Sequence, residues 1–160
     1  MEGENPTRRY KWFRPRQAMR GYDGFSAPTN YATIGLYNNS RSTHVLVLRD
    51  IQTGGGHTTF ASPQDALPTG ATVVTTVNPV FGLQAALAGQ VFHLDSATLY
   101  TNTDWDISNN FPPNRVLNIP FAVINPGQCL LFQSQTRATF LTFQAIWEAI
   151  TIEELDFLDW

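Results

Sequence analysis

Residues 138–150 read ATFLTFQAIWEAI, and this stretch decides the fold class. Leu141, Phe143, Ala145 and Trp147 fall on one face, and Thr142, Gln144, Ile146 and Glu148 on the other. Successive side chains of an extended chain point to opposite sides, so alternation at period two marks a half-buried strand. It is not the period of a helix.

Working outward, the same grammar recurs. YATIGLYN (31–38) alternates and closes on the turn cluster Asn38-Asn39-Ser40, and HVLVLRDI (44–51) runs into Thr53-Gly54-Gly55-Gly56. ATVVTTV (71–77) is β-branched and is stopped by Asn78-Pro79, while VFHL (91–94) and ATLYT (97–101) read as short strands. VLNIPFAVI (116–124) follows the Pro-rich loop Asn109 to Asn114, and the Asn125-Pro126-Gly127 turn leads into CLLFQS (129–134). About eight strands with regular turn signals, and no βα alternation, predict an all-β body: an antiparallel β-sandwich or jelly roll. Two segments carry a helical signal. GLQAALAG (82–89) lacks β-branched residues, and TIEELDFLDW (151–160) opens with the capping-box pair Thr151 and Glu154. The second reads equally well as an extended tail.

At 160 residues the chain suits one domain with a sizeable core. Charged residues make up only 14%, against about a quarter in an average protein. A chain so short of charge covers its surface with partners or with uncharged polar groups. No run approaches the ~18 apolar residues of a membrane span. No apolar stretch follows the basic N-terminal residues, so a secretory signal is not expected. The body is expected to be soluble.

The few cations are unevenly placed. Six of ten lie within the first twenty residues (Arg8, Arg9, Lys11, Arg14, Arg16, Arg20), against Glu2 and Glu4, a net +4. Residues 148–160 carry Glu148, Glu153, Glu154, Asp156 and Asp159 and no cation. The first thirty residues also hold three prolines and five aromatics (Tyr10, Trp12, Phe13, Tyr22, Phe25). Solvated tails lack aromatics, whereas Arg and aromatic side chains anchor interfaces. The expected layout is therefore an extended docking arm over 1–30, a sandwich over 31–150 and an acidic-aromatic tail over 151–160. The residues expected to dock on a partner are Arg8, Arg9, Tyr10, Lys11, Trp12, Phe13, Arg14 and Arg16 in the arm, with Glu153, Glu154, Asp156 and Trp160 in the tail. A nucleic-acid arm would use the same cations and rings on phosphates and bases. The modest charge and the prolines favour protein docking, and the net charge of −3 argues against nucleic-acid binding by the body.

Catalytic signals are weak. Cys129, the single cysteine, sits in the apolar run CLLF and reads as a buried inert thiol. His44, His57 and His93 are scattered. His93 followed by Asp95 is the nearest approach to a cupin-like ligand pair, and it lacks a second His. Asp104 and Asp106 in NTDWD lack the Gly and distal Glu of a Ca²⁺ loop and read as turn formers. Gly54-Gly55-Gly56 is not a phosphate loop, because no Lys follows. The expectation is a non-enzymatic protein without metal or cofactor. The alternative is a carbohydrate- or receptor-binding module, with Tyr100, Trp105 and Phe111 beside the Asp/Asn-rich loop as a sugar platform. A small hydrolase or cupin is the third reading.

Three stretches carry a resemblance: LYNNSRSTHVLVLRDI (36–51), INPGQCLLFQSQTRATF (124–140) and FLTFQAIWEAI (140–150). They resemble the first hairpin, the Pro-Gly turn with its following hairpin, and the closing strand of small β-sandwich proteins of tailed-phage particles. The resemblance covers about a third of the chain and rests on turns that any antiparallel sandwich needs. It implies a virion component, a capsid cement or decoration protein or a head-associated fibre or adaptor subunit. Such a protein is made in the host cytoplasm and held on the capsid surface. Its implied partners are the major capsid protein or another virion protein and further copies of itself, with a trimer favoured.

Overall fold

A computed structural model describes residues 18–55, 59–74, 77–79, 89–100, 116–118 and 123–151. All regular structure among them is β, in two antiparallel sheets, with no helix. The strands are β1 (Ala18–Ser26), β2 (Tyr31–Tyr37), β3 (His44–Gly54), β4 (Thr59–Gln64), β5 (Thr72–Val74) and β6 (Val77–Pro79). Then come β7 (Gln90–Ser96), β8 (Val116–Asn118), β9 (Val123–Ile124), β10 (Cys129–Arg137) and β11 (Phe140–Thr151). The first sheet runs β6-β1-β11-β3-β8, with β9 also on β3; the second runs β4-β10-β2-β7-β5.

β11 is the strand that its sequence predicts. It pairs with β1 on one side and β3 on the other. Leu141, Phe143, Ala145 and Trp147 are buried, and the alternate positions are more exposed. They join Met19, Leu46, Leu48 and Ile51 of the first sheet and Ile34, Leu36, Val91, Leu130 and Phe132 of the second in one hydrophobic cluster. Shared burial of the two inner faces is the main force holding the sheets together. Residues 31–37, 44–51, 91–94 and 129–134 are all strand, as expected.

Three expectations are corrected. The arm was expected to run to residue 30, yet residues 18–26 are β1, paired with β11 over nine positions. Its sequence, AMRGYDGFS, hides the alternation because only Met19 and Phe25 are apolar among its inward positions. The other two are Gly21, lying under Trp147, and Asp23, which meets a histidine of the facing sheet. Residues 71–77 are not one strand: β5 lies in the second sheet and β6 in the first. Residues 116–118 and 123–124 are β8 and β9, both antiparallel to β3, and residues 119–122 lie outside the described residues. Residues 97–100 form no strand; they cross the outside of the second sheet. One strand, β4, was not foreseen. Pro63 disguises it, and Pro is tolerated because β4 is an edge strand. Residues 82–88 and 152–160, where helices were considered, lie outside the described residues.

Candidate functional site

The β1–β11 pairing positions the charged segments. Ala18 lies opposite Glu148, and Thr151 ends β11 three residues further on. The segment that precedes β1 and the segment that follows β11 therefore leave the first sheet from neighbouring strands at one end. Residues 1–17 carry five cations and two carboxylates, and residues 152–160 carry four carboxylates and no cation. The expected docking residues, Arg8 through Arg16 and Glu153, Glu154, Asp156 and Trp160, lie outside the described residues.

At this end, Val45, Val47 and Ile150 form a separate buried cluster with Val123 against it. Beside it, Arg49 Nη2 lies 3.1 Å from Glu148 Oε2. The pairing of β3 with β11 shifts register between Ile146 and Trp147, a bulge that leaves Arg49 as the extra residue. Burial pushes the Glu148 carboxyl above its ordinary range, and the Arg49 charge and hydrogen bond only partly oppose this.

The outer face of the first sheet is built in rows by the strand register. Arg20, Ile146 and Asp50 form one row, Tyr22, Gln144 and Gln52 the next, and Gly24, Thr142 and Gly54 the third. Phe140 lies beyond them, with its ring within reach of Gly24. Gly24, with no side chain, leaves the third row low beside Thr142, and a groove of about 450 Å³ opens there beside Tyr22, Gln144 and Gln52. Arg20 Nη2 donates to Gln144 Oε1 at 2.8 Å, which orders one wall. Tyr22 and Phe140 are 51% and 49% exposed, high for rings of a folded body. Sequence reading placed Arg20 and Tyr22 in an arm and gave Gln52, Phe140 and Gln144 no role. The alternation of β11 did show that Gln144 lies on the face opposite Trp147.

Under this face the two sheets are bridged. Asp23 Oδ2 of β1 sits 2.5 Å from His93 Nδ1 of β7, and Phe25 stacks on the same imidazole with ring centroids 4.3 Å apart. Asp23 Oδ1 accepts the Gly24 N–H at 2.8 Å. His44 lies in the other sheet from His93 and contacts Thr43 Oγ1. Asp95 accepts the Asn30 N–H at 2.8 Å. Among the described residues, no three His, Cys, Asp or Glu side chains stand together as a metal site. His57, Asp104 and Asp106 lie outside the described residues.

The outer face of the second sheet is covered by its own chain. Phe92, Cys129 and Leu131 are buried, with Leu67, Ala71 and Tyr100 packed on them. Gln133, fully buried, binds the 98–100 segment: its Nε2 donates to Thr33 Oγ1 and the Thr98 carbonyl, and its Oε1 accepts the Tyr100 N–H. Tyr100, expected as an exposed sugar platform, is instead partly buried against this cluster; Trp105 and Phe111 lie outside the described residues. Cys129 Sγ donates to the Ala66 carbonyl at 3.4 Å, and burial pushes its pKa up to about 12.

The described residues define an all-β protein of two antiparallel sheets. No protein-family model, curated protein or solved structure matches the chain.

Proposed function

We propose that this chain is a non-enzymatic structural protein of a phage particle, a β-sandwich that decorates or cements the capsid through its charged terminal segments. The observation that carries this reading is the pairing of Ala18 with Glu148, which sets the start of β1 beside the end of β11, the two points at which the basic and the acidic segment join the first sheet. Two connectors of opposite charge leaving side by side suit a subunit held at the junctions of a shell. The acidic segment of one copy meets the basic segment of the next, or of a capsid protein. Each exposed ion pair contributes only about 0–1 kcal/mol. Repetition around a shell, with the arm's aromatics as anchors, supplies the avidity.

The strand order supports the jelly-roll form of the sandwich. The runs β1-β11-β3-β8 and β2-β10-β4 interleave, and the chain crosses between sheets from β1 to β2, β3 to β4 and β10 to β11. This architecture recurs in viral capsid proteins, so fold-level analogy adds modest weight.

The test is sedimentation of the purified chain with empty heads of the phage that encodes it. Full-length chain is expected to co-sediment, and chain lacking residues 1–17 to remain in the supernatant. A full chain that stays in solution, or a truncated one that binds unchanged, overturns the proposal.

A further inference from the structure

The outer groove of the first sheet has a composition that a docking role for the terminal segments does not use. Its walls pair the aromatic ring of Tyr22 with the planar polar groups of Arg20, Gln52 and Gln144. Tyr22 is half exposed in one row with Gln144 and Gln52, Arg20 stands in the row beside it, and the half-exposed ring of Phe140 lies at the margin against Gly24. Neighbouring rows on one sheet face are about 7 Å apart. Gly24 and Thr142 of the low row provide the floor.

We infer that this groove binds a short run of pyranose sugars. A pyranose presents C–H groups on one face and hydroxyls around its edge. The C–H groups carry partial positive charge and are attracted to the negative face of an aromatic ring. Each hydroxyl both donates and accepts, as a primary amide does, so Gln144 and Gln52 match it from either side. The guanidinium of Arg20 donates only, and its 2.8 Å bond to Gln144 Oε1 directs the Gln144 amide nitrogen away from Arg20 and toward a ligand's oxygen. Of the two carboxylates near the groove, Asp23 is engaged with His93 and the Gly24 N–H. The other, Asp50, shares the row of Arg20. The lining thus holds one sign of charge beside the other, which suits an uncharged ligand better than a polyanion. A protein partner would bury a larger apolar core than two half-exposed rings provide. The inference is independent of the capsid proposal, since it uses no residue of the terminal segments.

The experiment is calorimetric titration of the full chain with cellohexaose, chitohexaose, maltohexaose and xylohexaose, backed by a printed glycan array. At least one pyranose oligosaccharide is expected to bind. Tyr22→Ala and Gln144→Ala should each weaken it by roughly tenfold, a loss of about 1.4 kcal/mol. Thr142→Arg, which fills the low row, should abolish binding. Val73→Ala, an exposed change on the second sheet, should leave it unaltered. Thermal unfolding of each variant reports folding separately. A full chain that binds no glycan on the array and none of the four sugars at millimolar concentration overturns the inference. So does a bound sugar whose affinity is indifferent to Tyr22, Gln144 and Thr142 in folded variants.

Discussion

Asp23 and His93 tie the two sheets together: a carboxylate oxygen on β1 lies 2.5 Å from an imidazole nitrogen on β7, beneath the stacked ring of Phe25. Both side chains are mostly buried, so the contact is shielded from water, and a charge-assisted bond there outweighs one at the surface. Asp23→Asn is expected to destabilise the fold by about 1–3 kcal/mol, read as a lower urea midpoint at unchanged slope. A midpoint equal to that of the parent chain refutes the bridge as a stabilising element.

Truncation separates arm from body. Removing residues 1–17 leaves β1 whole, and the melting temperature should change little. Removing residues 1–30 deletes the strand that pairs with β11 over nine positions and takes the fully buried Met19 from the core. That chain is expected to be insoluble or to show no cooperative melt by circular dichroism.

Gly21 sits under Trp147, and a Cβ added there would meet Val91 and the indole at 2.5–2.8 Å. Both neighbours are fully buried and cannot swing into solvent. Gly21→Ala should cost about 1–3 kcal/mol through overpacking, although alanine normally strengthens a strand relative to glycine. Equilibrium denaturation of the variant decides between the two effects.

Gln133→Leu strips two hydrogen bonds from the segment at residues 98–100 and one from Thr33 Oγ1, and leaves the Tyr100 N–H and the Thr98 carbonyl without that partner. A loss of about 1–3 kcal/mol is expected. Amide exchange at Tyr100 should accelerate more than exchange in β11; equal acceleration at both would show that Gln133 is not a local latch.

Glu148 makes stability depend on pH. Burial raises its folded pKa above the ordinary 4.5, so the folded chain holds this proton more tightly than the unfolded chain. Its contribution is fully present below 4.5 and is lost as pH rises through the folded value. Glu148→Gln removes that titration. The stability of the variant relative to the parent should therefore rise as pH increases from 4.5, after an offset for the lost Arg49 contact. Urea titrations between about pH 4 and 7 measure this, and a pH-independent difference would contradict it.

Sequence and tertiary structure contributed different things. Local pattern was enough for β11, β2, β3, β7 and β10, because each buries an alternating or continuous apolar run that no helix would bury as well. The run of charge along the chain was equally legible, since it needs no geometry. Tertiary structure alone decided that AMRGYDGFS is a strand, because its inward positions are satisfied by partners far away in sequence, Trp147 over Gly21 and His93 against Asp23. It also decided that residues 72–74 and 77–79 belong to different sheets, a choice made by pairing partners rather than by β-propensity. The groove of the first sheet belongs to the same class. Tyr22, Gln144 and Gln52 come from three strands up to 122 positions apart in sequence, and only their register sets them in one row. The alternation of ATFLTFQAIWEAI determined which face of β11 is buried; what its other face confronts was decided by the strands on either side.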